Sequence, residues 1–219
     1  VEAFAQGRDV YSEFAGQYIY HRAVDRKRNP DDFIPGQLGK VTILGSGFQM
    51  GWPRFSMELL KGMLGAPPIQ FTEADAKQLG VHIAAFAANP NNVAKVEQMA
   101  SRLSMQDRIV HCAVAAYINK QYRTASQRIV GFWEVCERAI DAMIAGTSMT
   151  FGRGGLLRTE GQSIVMPDGM RLNYRDIQRS QGGATYWTGR DRTHTYGGSV
   201  TENIVQRLAR LVVALQMLE

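Results

Sequence analysis

Residues 35–53 read PGQLGKVTILGSGFQMGWP, and the fold turns on which of two periodicities this stretch follows. Local propensity favours a strand, because Val41, Thr42, Ile43 and Leu44 form a largely β-branched run followed by Gly45, Gly47 and Gly51. A strand feeding a glycine-rich nucleotide loop has that appearance. Helical spacing gives the opposite answer. Lys40, Leu44 and Phe48 stand at i, i+4 and i+8, so on a helix they form one ridge, a cation followed by two apolar side chains. Gly36, Gly39, Gly45, Gly47 and Gly51 each cost a helix roughly 1 kcal/mol relative to alanine. A helix here therefore needs tertiary support, or a ligand that must approach its backbone closely.

Two nucleotide loops can be tested against the stretch. The phosphate loop requires G-x-x-x-x-G-K-[ST]; Gly36 and Gly39 are too close together, and Val41 follows Lys40. The dinucleotide fingerprint fits at Gly45-Ser46-Gly47, but Gly51 comes one residue late. That fingerprint also needs a second strand ending in an acidic residue about 20 positions on, and residues 61–76 show no such strand. From the residues alone, the stretch is either a buried, glycine-thinned element with one snorkelling lysine or an atypical dinucleotide loop.

Working outward, the 219 residues suit one large domain or two small ones. Hydrophobic residues make up 45% and charged residues 21%, an ordinary globular balance. No apolar run approaches ~20 residues and no signal sequence is evident, so a soluble, cytoplasmic protein with no membrane partner is expected. Cys112 and Cys136 lie in helical patterns without metal-type spacing and read as buried thiols. A net charge of +5 permits a polyanionic partner without requiring one.

Residues 1–20 read as helix with interleaved aromatics, followed by a basic cluster of Arg22, Arg26, Lys27 and Arg28 offset by Asp25, Asp31 and Asp32. Residues 55–64 form a short amphipathic helix stopped by Gly65 and Pro67-Pro68. Thr72-Glu73-Ala74-Asp75 resembles a capping box opening a helix to about Ala88; Asn89 to Asn92 reads as a turn. Helix resumes over 93–102 and 106–120, and the helix after Ser126 runs to Ala145 and ends at Gly146. His82 and His111 read as satisfied histidines. After Thr147 the pattern changes: residues 163–166 and 170–174 flank Pro167-Asp168-Gly169, a hairpin signal. A polar, glycine-containing loop with Arg175, Arg179, Arg190 and Arg192 follows, with Tyr186 and Trp187 nearby, which suits phosphate binding or stacking. The last helix, from Val200, carries an apolar stripe of Ile204, Leu208, Leu211 and Leu215.

Four stretches, in order, resemble family A DNA polymerases, the polymerase I class, in their bacteriophage form. Gly39-Lys40-x-x-x-Leu44-Gly45-x-Gly47-Phe48-x-Met50-Gly51 resembles the fingers-helix motif. Ala3-Phe4 with Gly7-Arg8-Asp9-Val10-Tyr11 resembles the segment after the first catalytic motif. Ile129-Val130-x-Phe132-Trp133 resembles the helix that ends the fingers. Thr195-Tyr196-Gly197-Gly198 with Glu202-Asn203-Ile204-Val205-Gln206 resembles the palm helix under the template-primer.

The resemblance implies a mainly α (α+β) fold: a palm-proximal helix over 1–30, a helical fingers subdomain over 31–146, and a palm-side hairpin, basic loop and long C-terminal helix over 147–219. It implies that Lys40 acts catalytically by holding the incoming deoxynucleoside triphosphate. Leu44 would pack on the sugar, Phe48 would stack near the template base, and Tyr11 would stand where many members place a phosphate-contacting histidine. Gly47, Arg190, Arg192, Glu202, Asn203 and Gln206 would face DNA. Gly36 stands where a phosphate-binding arginine is usual, and Gln49 where a glycine is usual; Arg22, Arg26 or Arg28 folding back could supply the missing charge. The magnesium-binding carboxylates of the family lie in motifs outside this chain, so Mg2+ is expected with ligands on the remainder of the polymerase chain. Two other functions stay open, a non-catalytic nucleic-acid-binding module and a dinucleotide-dependent enzyme using Gly45, Gly47 and Gly51.

Overall fold

The deciding stretch is helical. In the computed structural model, which describes residues 5–99 and 101–217, Val41 to Leu44 lie inside a helix spanning Phe33–Ser46. The β-branched run follows tertiary context here and not its own preference. Val41 and Thr42 are buried, and the Thr42 hydroxyl donates to the Leu38 carbonyl at 2.7 Å, so its polar atom is satisfied within the helix. Every described element from Pro30 to Ala145 is helical. The chain divides into two compact units, Val1–Gln127 and Arg128–Glu219.

The first unit opens with α1, Val10–Phe14, which Asp9 caps by accepting the Tyr11 amide. It runs on as a π-helical turn over Ala15–Tyr20 that ends at His21 with φ 51°. The single helix expected over 1–20 is broken at Gly7, φ 66°; Ala3 and Phe4 lie outside the described residues. A 3-10 turn, Pro30–Asp32, capped by Asn29, leads into α2, Phe33–Ser46. Then come α3 (Trp52–Lys61), α4 (Glu73–Gln78), α5 (Ile83–Ala87), α6 (Pro90–Glu97) and α7 (Met105–Ala125). The Thr72–Asp75 capping box forms. Its helix stops at Gln78 and not near Ala88, because Gly80 takes φ 67°. Asn89 caps α6 with Pro90 in its first turn, so the expected turn at 89–92 is already helix.

The core of this unit is built on α7. Val110, Val114, Ile118 and Tyr122 are buried at intervals of four, one ridge of the helix. Beside them His111 is wholly buried. Its Nδ1 accepts the Phe71 amide at 3.2 Å, which leaves Nε2 to donate to the Ser56 carbonyl at 2.9 Å. Burial pushes the imidazole below its ordinary value, against the Ser56 carbonyl that favours the charged form. The unfolded chain therefore takes up this proton first. Stability is complete above the unfolded value of ~6.5 and falls as pH drops from there toward the folded value. The melting temperature is expected to decline from pH 7 to 5, and the decline to flatten in a His111→Gln variant. A constant wild-type melting temperature over that range would refute the neutral, buried imidazole.

The second unit begins with α8, Gln127–Ala145, closed by Gly146 at φ 67°. Two small antiparallel sheets follow. The first runs β1 (Thr150–Phe151), β2 (Leu157–Glu160), β3 (Ser163–Val165) and β4 (Arg171–Asn173), in that order. The hairpin expected around Pro167-Asp168-Gly169 is β3–β4, with Ile164 opposite Leu172. The second sheet is β5 (Arg175–Ser180), β6 (Gly183–Trp187) and β7 (Arg192–Thr195). This corrects the expectation of a loop. Its signal was present: Gln181-Gly182-Gly183 stands between runs containing Ile177 and Thr185-Tyr186-Trp187.

Helix α9, Gly197–Gln216, completes the unit. Cys136, Ile140 and Met143 of α8, Ile164, Tyr174, Ile177 and Ala184 of the strands and their approaches, and Val200 and Ile204 of α9 share one core. A Cβ on Gly197 would lie 2.2 Å from the Trp133 carbonyl, so glycine is what lets α9 start against α8. The apolar stripe of α9 covers the core only in its first half: Ile204 is buried, whereas Leu215 is 56% exposed. The fold is mainly α with a minor β part, a β-hairpin and a long C-terminal helix, as the sequence implies. Among the described residues no helix is long and apolar enough to cross a membrane.

Candidate nucleotide and nucleic-acid site

The glycines of α2 are what shape its surroundings. Gly36, Gly39 and Gly45 lie on its buried side. A Cβ on Gly39 would meet the Tyr11 carbonyl at 2.2 Å, so α1 packs directly on the α2 backbone. Lys40, one turn after Gly36, is half-buried, and Leu44 beyond it is 39% exposed. Lys40 Nζ donates to the Leu64 carbonyl at 2.9 Å. Phe48 departs from the expected ridge. The helix ends at Ser46, the Gly47 amide still bonds to the Ile43 carbonyl, and Gln49 takes φ 69°. Phe48 therefore sits in the turn, half-buried. Asn119 of α7 fixes this end, donating to Ser46 Oγ at 3.0 Å and to the Met50 carbonyl at 2.9 Å.

One of the three basic side chains is folded back onto α2. The aliphatic stem of Arg26 lies where a Cβ on Gly36 would be, 2.5 Å from that position. Its guanidinium stands 5.1 Å from the Tyr11 ring centroid, a cation–π distance. Its Nε donates to Asp9 Oδ2 at 2.6 Å, and Nη1 donates to Gln37 Oε1 at 3.4 Å. Burial alone would raise the Asp9 carboxyl, but Arg26, Ser12 and the Tyr11 amide hold it below the usual carboxylate range. Arg22 instead pairs with buried Asp32 at 2.6 Å. Arg28 is 89% exposed, 3.8 Å from Asp25. Tyr11, Arg26, Gln37 and Lys40 thus belong to α2 and what packs on it. A cleft of about 430 Å³ beside α1 is lined by Arg8, Asp9, Asp25 and Arg28; Lys40, Leu44 and Phe48 do not line it.

In the second unit, Arg190 is 94% exposed in the β6–β7 turn. Arg192 is held on β7 by Asp176 and by Thr185 Oγ1 at 3.3 Å. On α9, Glu202 accepts from Gln206 at 3.1 Å, so these two satisfy each other one turn apart. Asn203 turns inward and donates to the Tyr174 hydroxyl at 3.1 Å, a phenol that burial pushes up to about 12. Gln206 is exposed and Glu202 half-buried.

Sequence reading missed Gln37 and Asn119. Gln37 falls on the outward side of α2 only once helix is chosen. Asn119 is a buried polar side chain whose need for partners on α2 has no local signature.

A magnesium site does not fit the residues present. Among the described residues no three His, Cys, Asp or Glu side chains gather as metal ligands, and two of the carboxylates beside α2, Asp9 and Asp32, are committed to Arg26 and Arg22. The dinucleotide reading also fails in its geometry. Gly45 lies within the last turn of a helix and Gly47 caps its C-terminus, whereas that fingerprint needs glycines between a strand and a helix N-terminus. Both sheets are antiparallel throughout. No protein-family model matches the chain, and no curated protein or solved structure matches it.

Proposed function

We propose that this chain is part of a template-directed DNA polymerase of the family A kind, contributing the surface that binds the incoming deoxynucleoside triphosphate and part of the surface that meets primer-template DNA. One observation carries the reading. The stretch is helical from Pro35 through Ser46 despite its β-branched run; Gly39 admits α1, Gly36 admits the Arg26 stem, and Lys40 stands one turn after Gly36 beside exposed Leu44. Two cations, Arg26 over Gly36 and Lys40 one turn on, thus follow one helix. In this reading Lys40 meets the triphosphate as a point charge, and Leu44 offers an apolar surface to the sugar. Arg26 supplies a guanidinium beside Gly36 if phosphate displaces it from Asp9. Tyr11 can donate a hydrogen bond but adds no charge near neutral pH. Arg190, Arg192 and Gln206 offer backbone or groove contacts to DNA.

Phosphoryl transfer needs metal ions held by carboxylates, and those are expected on other parts of the polymerase. The chain alone should therefore bind primer-template in a salt-dependent manner yet fail to extend it with magnesium and all four nucleotides. Robust extension by the pure chain would overturn this division of roles. Absence of any salt-dependent DNA binding would remove both the polymerase and the nucleic-acid-module readings. The module reading, DNA binding without nucleotide selection, is separated from the polymerase reading at Lys40.

A further inference from the structure

The strand register of the second sheet brings together residues far apart in sequence. Trp187, at the end of the central strand β6, stands opposite Arg175 on β5 and opposite Arg192 on β7. Directly opposed residues share a face of a sheet, and neighbouring strands lie about 4.8 Å apart. Ala184 is buried in the core and Tyr186 packs against it, so the alternation of β6 turns Thr185 and Trp187 to the other, outer face. Gln178 and His194 oppose Thr185 on its two sides. The outer face is thus a polar surface with one large aromatic, 41% exposed, flanked by two guanidiniums.

We propose that this outer face is a binding site for single-stranded nucleic acid, an unpaired base stacking on Trp187 while Arg175 and Arg192 hold the adjacent phosphates. The chemistry selects this partner. Aromatic stacking accepts any base but requires its face to be free, which a duplex does not offer. An acidic peptide would use the arginines and leave the indole idle. Arg175 is exposed and makes no ion pair among the described residues, so its donors are open. Asp176, at φ 53° in the irregular part of β5, orients Arg192 by pairing with it. Thr185 Oγ1 accepts from Arg192 on the same face, and exposed His194 adds a hydrogen-bonding group beside it. The site shares Arg192 with the DNA-contact surface proposed above and rests on that reading, but it is tested at Trp187 and Arg175 without nucleotide, so its failure is distinguishable from failure of the polymerase reading, which is tested at Lys40.

The test is fluorescence anisotropy of a labelled 12-nucleotide oligothymidylate titrated with the whole chain, beside a duplex of the same length. The single strand is expected to bind more tightly than the duplex. Trp187→Ala should weaken binding roughly fivefold or more without changing the slope of log Kd against log salt, and Trp187→Phe should restore most of it. Arg175→Gln should reduce that slope by about 0.7. Trp187→Ala binding as wild type, with circular dichroism intact, would overturn the proposal; so would a duplex or polyglutamate bound as tightly as the single strand. Should Trp187→Ala fail to fold, an unchanged salt slope in Arg175→Gln overturns it on its own.

Discussion

Gly39→Ala should lower the stability of the helical unit, whereas Gly45→Ala, on the same helix, should raise it. Propensity alone predicts the same sign for both, because alanine is better than glycine inside a helix by up to about 1 kcal/mol. Packing separates them. At Gly45 a Cβ would meet Met63 Cε at 3.5 Å and Met50 Sδ at 3.7 Å, ordinary contact with the flexible ends of two side chains. At Gly39 it would meet the Tyr11 carbonyl at 2.2 Å and the Ala15 Cβ at 3.1 Å. A backbone oxygen cannot rotate aside, so α1 must move off α2. Overpacking of this kind costs about 1–3 kcal/mol. Set against the propensity gain, the net loss should be about 1 kcal/mol and at most about 2, or a melting temperature lower by ~2–4 °C per kcal/mol. Gly45→Ala should gain up to about 1 kcal/mol. Thermal unfolding followed by circular dichroism reads both. Equal shifts in the two variants would mean that α1 does not lie against α2. The same displacement would move Tyr11 and Arg26 relative to Lys40, so nucleotide affinity should fall in Gly39→Ala and hold in Gly45→Ala.

That contrast also marks what was legible in the sequence. The spacing of Lys40 and Leu44 identified the ridge that faces outward, and the need for tertiary support at the glycines is met by α1 at Gly39 and by the Arg26 stem at Gly36. Hairpin β3–β4 announced itself through Pro167-Asp168-Gly169, whose turn chemistry is local. Phe48 falls on the Lys40–Leu44 ridge only if the helix continues past Ser46, where it ends. The end of α2 is set by Asn119 of α7 bonding to Ser46 and Met50, a contact between residues about 70 apart that leaves no periodic trace. Strands β5 to β7 read as a loop because their outer face is polar apart from Trp187, and only Ile177, Ala184 and Tyr186 mark the inner one, where Arg179 also stands opposite Ala184. Polar residues on one face are what a half-exposed antiparallel sheet should show, but the irregular register between Arg175 and Gln178 interrupts the alternation that would have revealed it. Sequence alone places Trp187 among arginines, but only the register shows that Arg175 and Arg192 flank it on one face.

Lys40→Ala should weaken deoxynucleoside triphosphate affinity at least tenfold while leaving the fold and nucleotide-free DNA binding nearly unchanged. A hydrogen bond to a charged partner contributes roughly 1.5–3 kcal/mol, about 10- to 100-fold in an equilibrium. Without nucleotide, Lys40 bonds to the Leu64 carbonyl at 2.9 Å, in a loop where Leu64 takes φ 54° and is 44% exposed. A contact at that exposure should contribute within about 0.5 kcal/mol to stability, so the melting temperature should move by less than about 2 °C. The same geometry supplies the competing explanation, that Lys40 only tethers the 62–68 loop. The two roles diverge under measurement. If Lys40 serves phosphate, equilibrium titration of nucleotide onto the primer-template complex should show the tenfold loss in Lys40→Ala and much smaller losses in Lys40→Arg, which keeps the charge. If it serves the loop, Lys40→Ala should speed proteolytic cleavage within 62–68 and leave nucleotide affinity where it was. That second outcome, with DNA binding intact, would favour the nucleic-acid-module reading over the polymerase one. Binding of triphosphate to Lys40 must also release the Leu64 carbonyl, so saturating nucleotide should itself increase cleavage of the 62–68 loop in the wild-type chain and have no such effect in Lys40→Ala.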